Sequence, residues 1–274
     1  MASREMDPVL AGAEPSRAGI ATYDPLTLGR SFYGAAMVGS GILQLVTGSF
    51  VRLVPKAARG NDASPVWPYL VGVILLLAGL AILSGRMTRP AGASMVVLLL
   101  VSFAFFQLPQ ALSNPWAGFM WTNPLKGLAL IGGGALIAAK ASRRERLVEA
   151  LAATFFSLFF VVCGIQHFVY RDFVATLVPD WIPNHMFWTC FAGVALIAGG
   201  VGTHVRRTAR LAASLSGLMV FLWVLMLHIP RAVALPAHAF ETAGAFEALA
   251  LSGIAFMLAG TFARRAPNGP AARS

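Results

Sequence analysis

Charge is what this chain has least of. Only 12% of its 274 residues are Asp, Glu, Lys or Arg, about half of what a soluble domain carries. Cysteine is nearly as scarce: Cys163 and Cys190 are the only two, with no C-x-x-C pair, which excludes a disulfide scaffold and a zinc ribbon. No G-x-x-x-x-G-K, H-E-x-x-H or G-x-S-x-G pattern occurs, so nucleotide hydrolysis, metalloprotease and serine-hydrolase chemistry find no support. A cleavable signal peptide is not expected either. The first 30 residues mix Arg4, Arg17 and Arg30 with Glu5, Asp7, Glu14 and Asp24, and the apolar run that follows has no small-residue cleavage site.

What fills the space is hydrocarbon. The chain is 57% hydrophobic with a mean hydropathy of +0.72, and apolar runs of 18 or more residues recur, each long enough to cross a bilayer core of about 30 Å. The pattern predicts an all-α, polytopic membrane protein. Eight spans are expected, near 31–52, 66–84, 91–112, 121–140, 148–170, 184–203, 209–229 and 242–263, between a polar tail at 1–30 and a short basic tail at 264–274.

The formal charge of +10 is then a statement about topology and not about nucleic acid. With both termini cytoplasmic, fifteen Lys and Arg fall in inner segments and five (Arg52, Lys56, Arg59, Arg171, Arg231) in outer loops. That asymmetry predicts cytoplasmic N and C termini. All six tryptophans (Trp67, Trp116, Trp121, Trp181, Trp188 and Trp223) then lie at or near the outer interface, as an aromatic belt would.

The spans repeat. Gln107-Leu108-Pro109-Gln110-Ala111 is matched by His228-Ile229-Pro230-Arg231-Ala232, and Leu125-Lys126-Gly127-Leu128-Ala129-Leu130 by Phe246-Glu247-Ala248-Leu249-Ala250-Leu251. Earlier in each copy, Gly41-Ile42-Leu43-Gln44-Leu45 answers Gly164-Ile165-Gln166-His167-Phe168. The expected organisation is two four-helix units, 31–141 and 142–263. Each has an even number of spans, so the two copies point the same way and are related by an axis along the membrane normal.

The second unit resembles DoxX-like membrane proteins. The matching residues are the G-I-x-H-F of Gly164 to Phe168, F-x-x-x-L-V-P from Phe173 to Pro179, Ile182-Pro183, Gly193 with its apolar run, and the basic turn Arg206-Arg207. The first unit carries a degenerate copy, with Gln44 in place of the histidine. The resemblance implies a four-helix bundle per unit and an association with membrane redox chemistry, such as subunits of thiosulfate:quinone oxidoreduction. It brings with it a quinone as the ligand and a membrane or periplasmic redox partner, while fold travels better than function.

Polar groups gather at one depth. Gln44, Gln107, Lys126, His167, His228 and Glu247 each fall within about one or two turns of an outer helix end at 1.5 Å per residue, with no counterparts expected at the inner ends. Lys126 and Glu247 occupy matched positions with opposite charge, which invites pairing and a polar pocket in the outer leaflet lined by both units; the plainer alternative has Lys126 snorkelling to the surface and Glu247 bonding a neighbouring helix. The histidines suit a proton relay, a quinone-carbonyl donor, or a bond between helices. A metal or haem site is not favoured, because no close-spaced pair of ligands fixes one. Cys163 and Cys190 lie at similar depths on consecutive spans, and Cys163 is one turn before His167. They are candidates for a redox pair or, more simply, small hydrophobes in the bundle. The expected function is an accessory or quinone-linked redox subunit; the alternative is a non-enzymatic membrane scaffold or small-molecule carrier.

Overall fold

The computed structural model describes residues 24–50, 66–139, 144–236 and 238–265. Most of the expected N-terminal tail, the positives Arg52, Lys56 and Arg59, most of the basic inter-unit segment and most of the C-terminal tail lie outside those residues. No strand occurs among the described residues. Long helices run α1 (Pro25–Thr47) and α2 (Val66–Ser84), then α3 (Thr88–Ser113) and α4 (Thr122–Ala138). They continue as α5 (Glu145–Val169) and α6 (His185–Gly202), α7 (Ala209–Ala234) and α8 (Ala239–Arg265).

Six of these (α2, α3, α5, α6, α7 and α8) are long and apolar enough to cross a membrane. Helix α4 has 17 residues behind a single 3-10 turn, Gly118–Trp121, and α1 is diluted by Arg30, Gln44 and its glycines. Several ends differ from expectation. Helix α1 begins inside the presumed tail because Asp24 caps it: its carboxylate accepts from the Leu26 N–H at 3.2 Å and from the Thr27 hydroxyl at 3.0 Å, and Pro25 at the first position needs no partner for an N–H. After α5 the chain makes one more short turn of helix, Arg171–Ala175, where a loop was expected; the Arg171–Asp172 pair there is 3.9 Å apart and exposed.

Each long helix packs against the next, and α8 closes the circuit onto α1, with α4 and α8 also meeting across the middle. Helix α8 is therefore central. In its most apolar stretch 72% of residues are buried, against 28% in α6 and in α7, whose Leu, Val and Phe side chains face outward as they would toward lipid. Association inside a bilayer has little hydrophobic drive and depends on close packing, so backbone approach decides the contacts. A Cβ on Gly29 would meet the backbone of α8 at Gly253 and Met257, and one on Gly253 would meet Gly29 O at 2.6 Å. Where α1 meets α2, a Cβ on Gly41 would sit 2.8 Å from Gly72 O; where α5 meets α6, one on Gly164 would sit 2.7 Å from Gly193 O. Buried polar groups tie the same helices: the Tyr33 hydroxyl donates to Leu130 O at 3.0 Å, and Ser252 to Gly217 O at 2.8 Å.

Helices α3 and α7 each contain one wide turn of π-helix, Phe103–Gln107 and Val224–His228. Both directly precede Leu-Pro or Ile-Pro. Pro109 and Pro230 lack an N–H and would press their rings on the carbonyl four residues back. The π turn, closed by Leu108 N–H to Phe103 O and Ile229 N–H to Val224 O, relieves that crowding without breaking the helix.

At the end of the bundle where α1 and α5 start, Arg265 at the foot of α8 forms an ion pair with Glu149 of α5, whose side chain is 9% exposed, and Arg264 lies 3.6 Å from Asp24. This corrects the expectation that the inner helix ends carry no matching polar group. Glu149 was lost among apolar neighbours, four residues from Glu145 in a segment that reads as the start of a span. Replacing Arg265 by Ala would leave that carboxylate without its cation and should lower stability by about 1–3 kcal/mol, less than for a fully buried pair because the guanidinium is half exposed. The loss should appear in thermal unfolding in detergent and should shrink when Glu149→Gln is added.

Candidate functional site

The site is built at the opposite end, where the N-terminal halves of α4 and α8 meet. Lys126 lies in the second turn of α4 and Glu247 in the third turn of α8, 121 residues apart. The Lys126 ammonium donates to Glu247 Oε2 at 2.6 Å, with side chains only 12% and 5% exposed. Two charges removed from water this far are held by each other; such a pair is not itself a large source of stability, but removing one member leaves the other uncompensated.

The two π turns flank this pair: that of α3 packs on α4, and that of α7 packs on α8. Their last residues are Gln107 and His228. Gln107 is 4% exposed, and its amide donates across the wide turn to Ser102 Oγ at 3.3 Å. Its Oε1 occupies the space beside Gly127 that a Cβ would take, which explains the glycine next to Lys126. His228 ends the second π turn at the matched place, and both it and Glu247 make interactions with neighbouring residues.

The remaining candidates go elsewhere. Gln44 is fully buried and donates to Pro68 O at 2.7 Å, fastening α1 to the first turn of α2. His167 Nδ1 sits 2.8 Å from Cys163 O, so Nδ1 carries the proton when the ring is neutral and Nε2 is left as the acceptor. The ring stacks on Trp223 of α7, centroids 6.3 Å apart and planes 21° from parallel. The histidine thus engages the backbone of Cys163 and not its thiol. Cys163 and Cys190 are both free and half-buried. Among the described residues no group of three or more His, Cys, Asp or Glu is placed to hold a metal ion.

Two further polar contacts at this end escaped the sequence. Gln166 accepts from Thr122 Oγ1 at 2.8 Å and donates to Gly118 O at 2.8 Å, joining α5 to the start of α4. Arg231 and Glu241 form a two-pronged pair, 3.0 Å at each prong, that closes the turn between α7 and α8. A signal existed for each: Gln166 is the variable residue of G-I-x-H-F, and Glu241 is the first acid after a long stretch without one. Along the flank of α4 and α5 runs an apolar groove of about 390 Å³, walled by Trp121, Leu125, Val162, Ile165 and Tyr170.

The central pair makes a direct prediction. Lys126→Met should cost about 3–5 kcal/mol by leaving the buried Glu247 without its ammonium. Adding Glu247→Gln should recover part of that, with a coupling of about 0.5–3 kcal/mol in a double-mutant cycle read by unfolding in detergent.

Comparison with known families assigns both halves of the chain. Residues 26–108 match the DoxX family, and residues 156–259 match a domain of unknown function, DUF8561. No curated protein and no solved structure matches. The DoxX match falls on the first half, whereas the residues quoted for the resemblance lie in the second. That half has Gln44 where the second has His167, so the histidine is not what carries the match. Residues 26–108 are thus similar to the DoxX family, and that match together with six helices long and apolar enough to cross a membrane fits a multi-pass membrane protein.

Proposed function

We propose that this protein is an accessory, quinone-linked redox subunit of a bacterial inner membrane, in which the ends of α3, α4, α7 and α8 form a polar pocket for a quinone headgroup near the outer surface. In this reading all eight long helices span, as two four-helix units with both termini cytoplasmic. Several observations support the duplication. The π turns, each followed by proline, recur at the interval that separates Lys126 from Glu247, and the contacts of α1–α2, α2–α3 and α3–α4 are repeated by α5–α6, α6–α7 and α7–α8. The inter-unit contacts pair likewise, α1 on α8 answering α5 on α4.

The reading is carried by the Lys126–Glu247 pair, one charge from each unit, buried where α4 meets α8 and flanked by the π turns of α3 and α7. Wide turns of this kind concentrate at functional sites. An ammonium, the Gln107 amide and His228 are donors of the kind that recognise quinone carbonyls, and the Glu247 carboxylate can accept from a hydroquinone hydroxyl. The groove beside Leu125 supplies an apolar slot for an isoprenoid tail. The chain's part is to bind and orient the quinone; electrons pass to or from a membrane or periplasmic partner.

A scaffold is the second reading, and what favours it is that Lys126 and Glu247 satisfy each other. A carrier is less well supported: Glu149 and Arg265 provide polarity at the far end, but α8 between the two ends presents Ala, Leu, Gly, Ile and Met. Quinone binding decides. The purified protein should bind a short-tailed quinone analogue, and Lys126→Met/Glu247→Gln, which removes both charges together and strands neither, should weaken that binding at least about tenfold while unfolding closer to the unaltered protein than Lys126→Met alone does. A protein that binds no quinone, yet whose deletion disperses a partner complex, would be the scaffold.

A further inference from the structure

We infer that the cleft between α6 and α7 is a binding site for one anionic phospholipid, its acyl chain lying between the helices and its phosphate held by Arg206, Arg207 and Arg210. The cleft has a volume of about 350 Å³ and is almost wholly apolar, with small residues along the α6 side (Ala195, Ala198, Gly199) and Leu215 and Met219 opposite. Both helices turn most of their surface outward, so lipid reaches it directly.

At the positions preceding Ala195, Ala198, Thr208 and Ser216 by the Lys126–Glu247 interval, the first half carries Ile74, Leu77, Met87 and Met95. All four are larger side chains, and Met95 is fully buried.

Charge says what fills it. Thr208 lines the cleft at the end where Arg206 and Arg207 form the connecting turn and Arg210 begins α7. These three arginines are exposed, and none takes part in an ion pair among the described residues. No acidic residue occurs between Asp180 and Glu241, so the whole α6–α7 hairpin has none of its own to offer. Lipid tails are as apolar as the cleft wall, so the tail gains only shape-matched contact. Selection must come from the headgroup, through arginines that favour phosphate bidentately and through the attraction of clustered basic residues to anionic lipid. A second copy of this chain would bring the same arginines to the same depth, where like charges repel.

Native mass spectrometry of the full-length protein in mild detergent, titrated with phosphatidylglycerol or phosphatidylcholine of identical acyl chains, tests this. One phosphatidylglycerol should be retained about tenfold more tightly than phosphatidylcholine. Restoring the first-half residues with A195I and A198L should fill the cleft and remove that retained lipid. R206Q/R207Q/R210Q, which alters only exposed side chains, should abolish the preference for phosphatidylglycerol and so decides the matter even where the filled variant fails to fold. Equal retention of the two lipids by the unaltered protein would overturn the proposal. So would unchanged phosphatidylglycerol binding by a folded A195I/A198L protein, or a shift in its oligomeric state without loss of lipid, which would make a second copy the occupant.

Discussion

An ammonium and a carboxylate buried in a bundle of Leu, Ala and Gly have no water to fall back on, and the fold is arranged so that they find each other. Lys126 comes from the fourth long helix and Glu247 from the eighth, so their 2.6 Å contact requires both halves of the chain in register. The cost of leaving either charge alone in a low-dielectric interior makes the pair a specification of docking more than a source of stability. Around it the same demand recurs at lower stakes. Gln44 finds Pro68 O, Tyr33 finds Leu130 O, and Gln166 joins Thr122 to Gly118, because buried donors without partners are costly.

The two π turns show how the site acquires its shape. A proline in a helix is a local defect whose consequence is set by what precedes it. Here the defect is absorbed by widening one turn, which carries Gln107 against the glycine beside Lys126 and sets His228 at the matching place on α7. The irregularity sits beside the charges, so the part of the helix with the least regular hydrogen bonding is also the part nearest the polar chemistry.

Much of this was legible in the sequence. The positions of the long helices follow from hydropathy, and the Lys126–Glu247 contact follows from aligning Leu125–Leu130 with Phe246–Leu251. The grouping of polar side chains proved less uniform than their depth implied. Sequence gives depth but not azimuth, so Gln44 and His167, at the right height, turn to Pro68 O and to a carbonyl of the histidine's own helix. Glu149 was illegible for a different reason: its partner Arg265 stands at the far end of the chain in a stretch that positive-inside reasoning already explains. The π turns had a signal, the Leu-Pro and Ile-Pro steps, but a proline alone does not say whether a helix will kink, end or widen.

The centrality of α8 has a bearing on how such a chain is made. It follows the other seven long helices along the chain, and it is also the most enclosed, touching α1, α4, α5 and α7 and supplying the counter-ion for Lys126 and for Glu149. Until it docks, Lys126 and Glu149 lack their partners of opposite charge and the helices it touches have an open side. Assembly therefore cannot proceed by adding finished pieces outward from a nucleus. The preceding helices have to hold an open ring together, and α8 is the keystone that closes it.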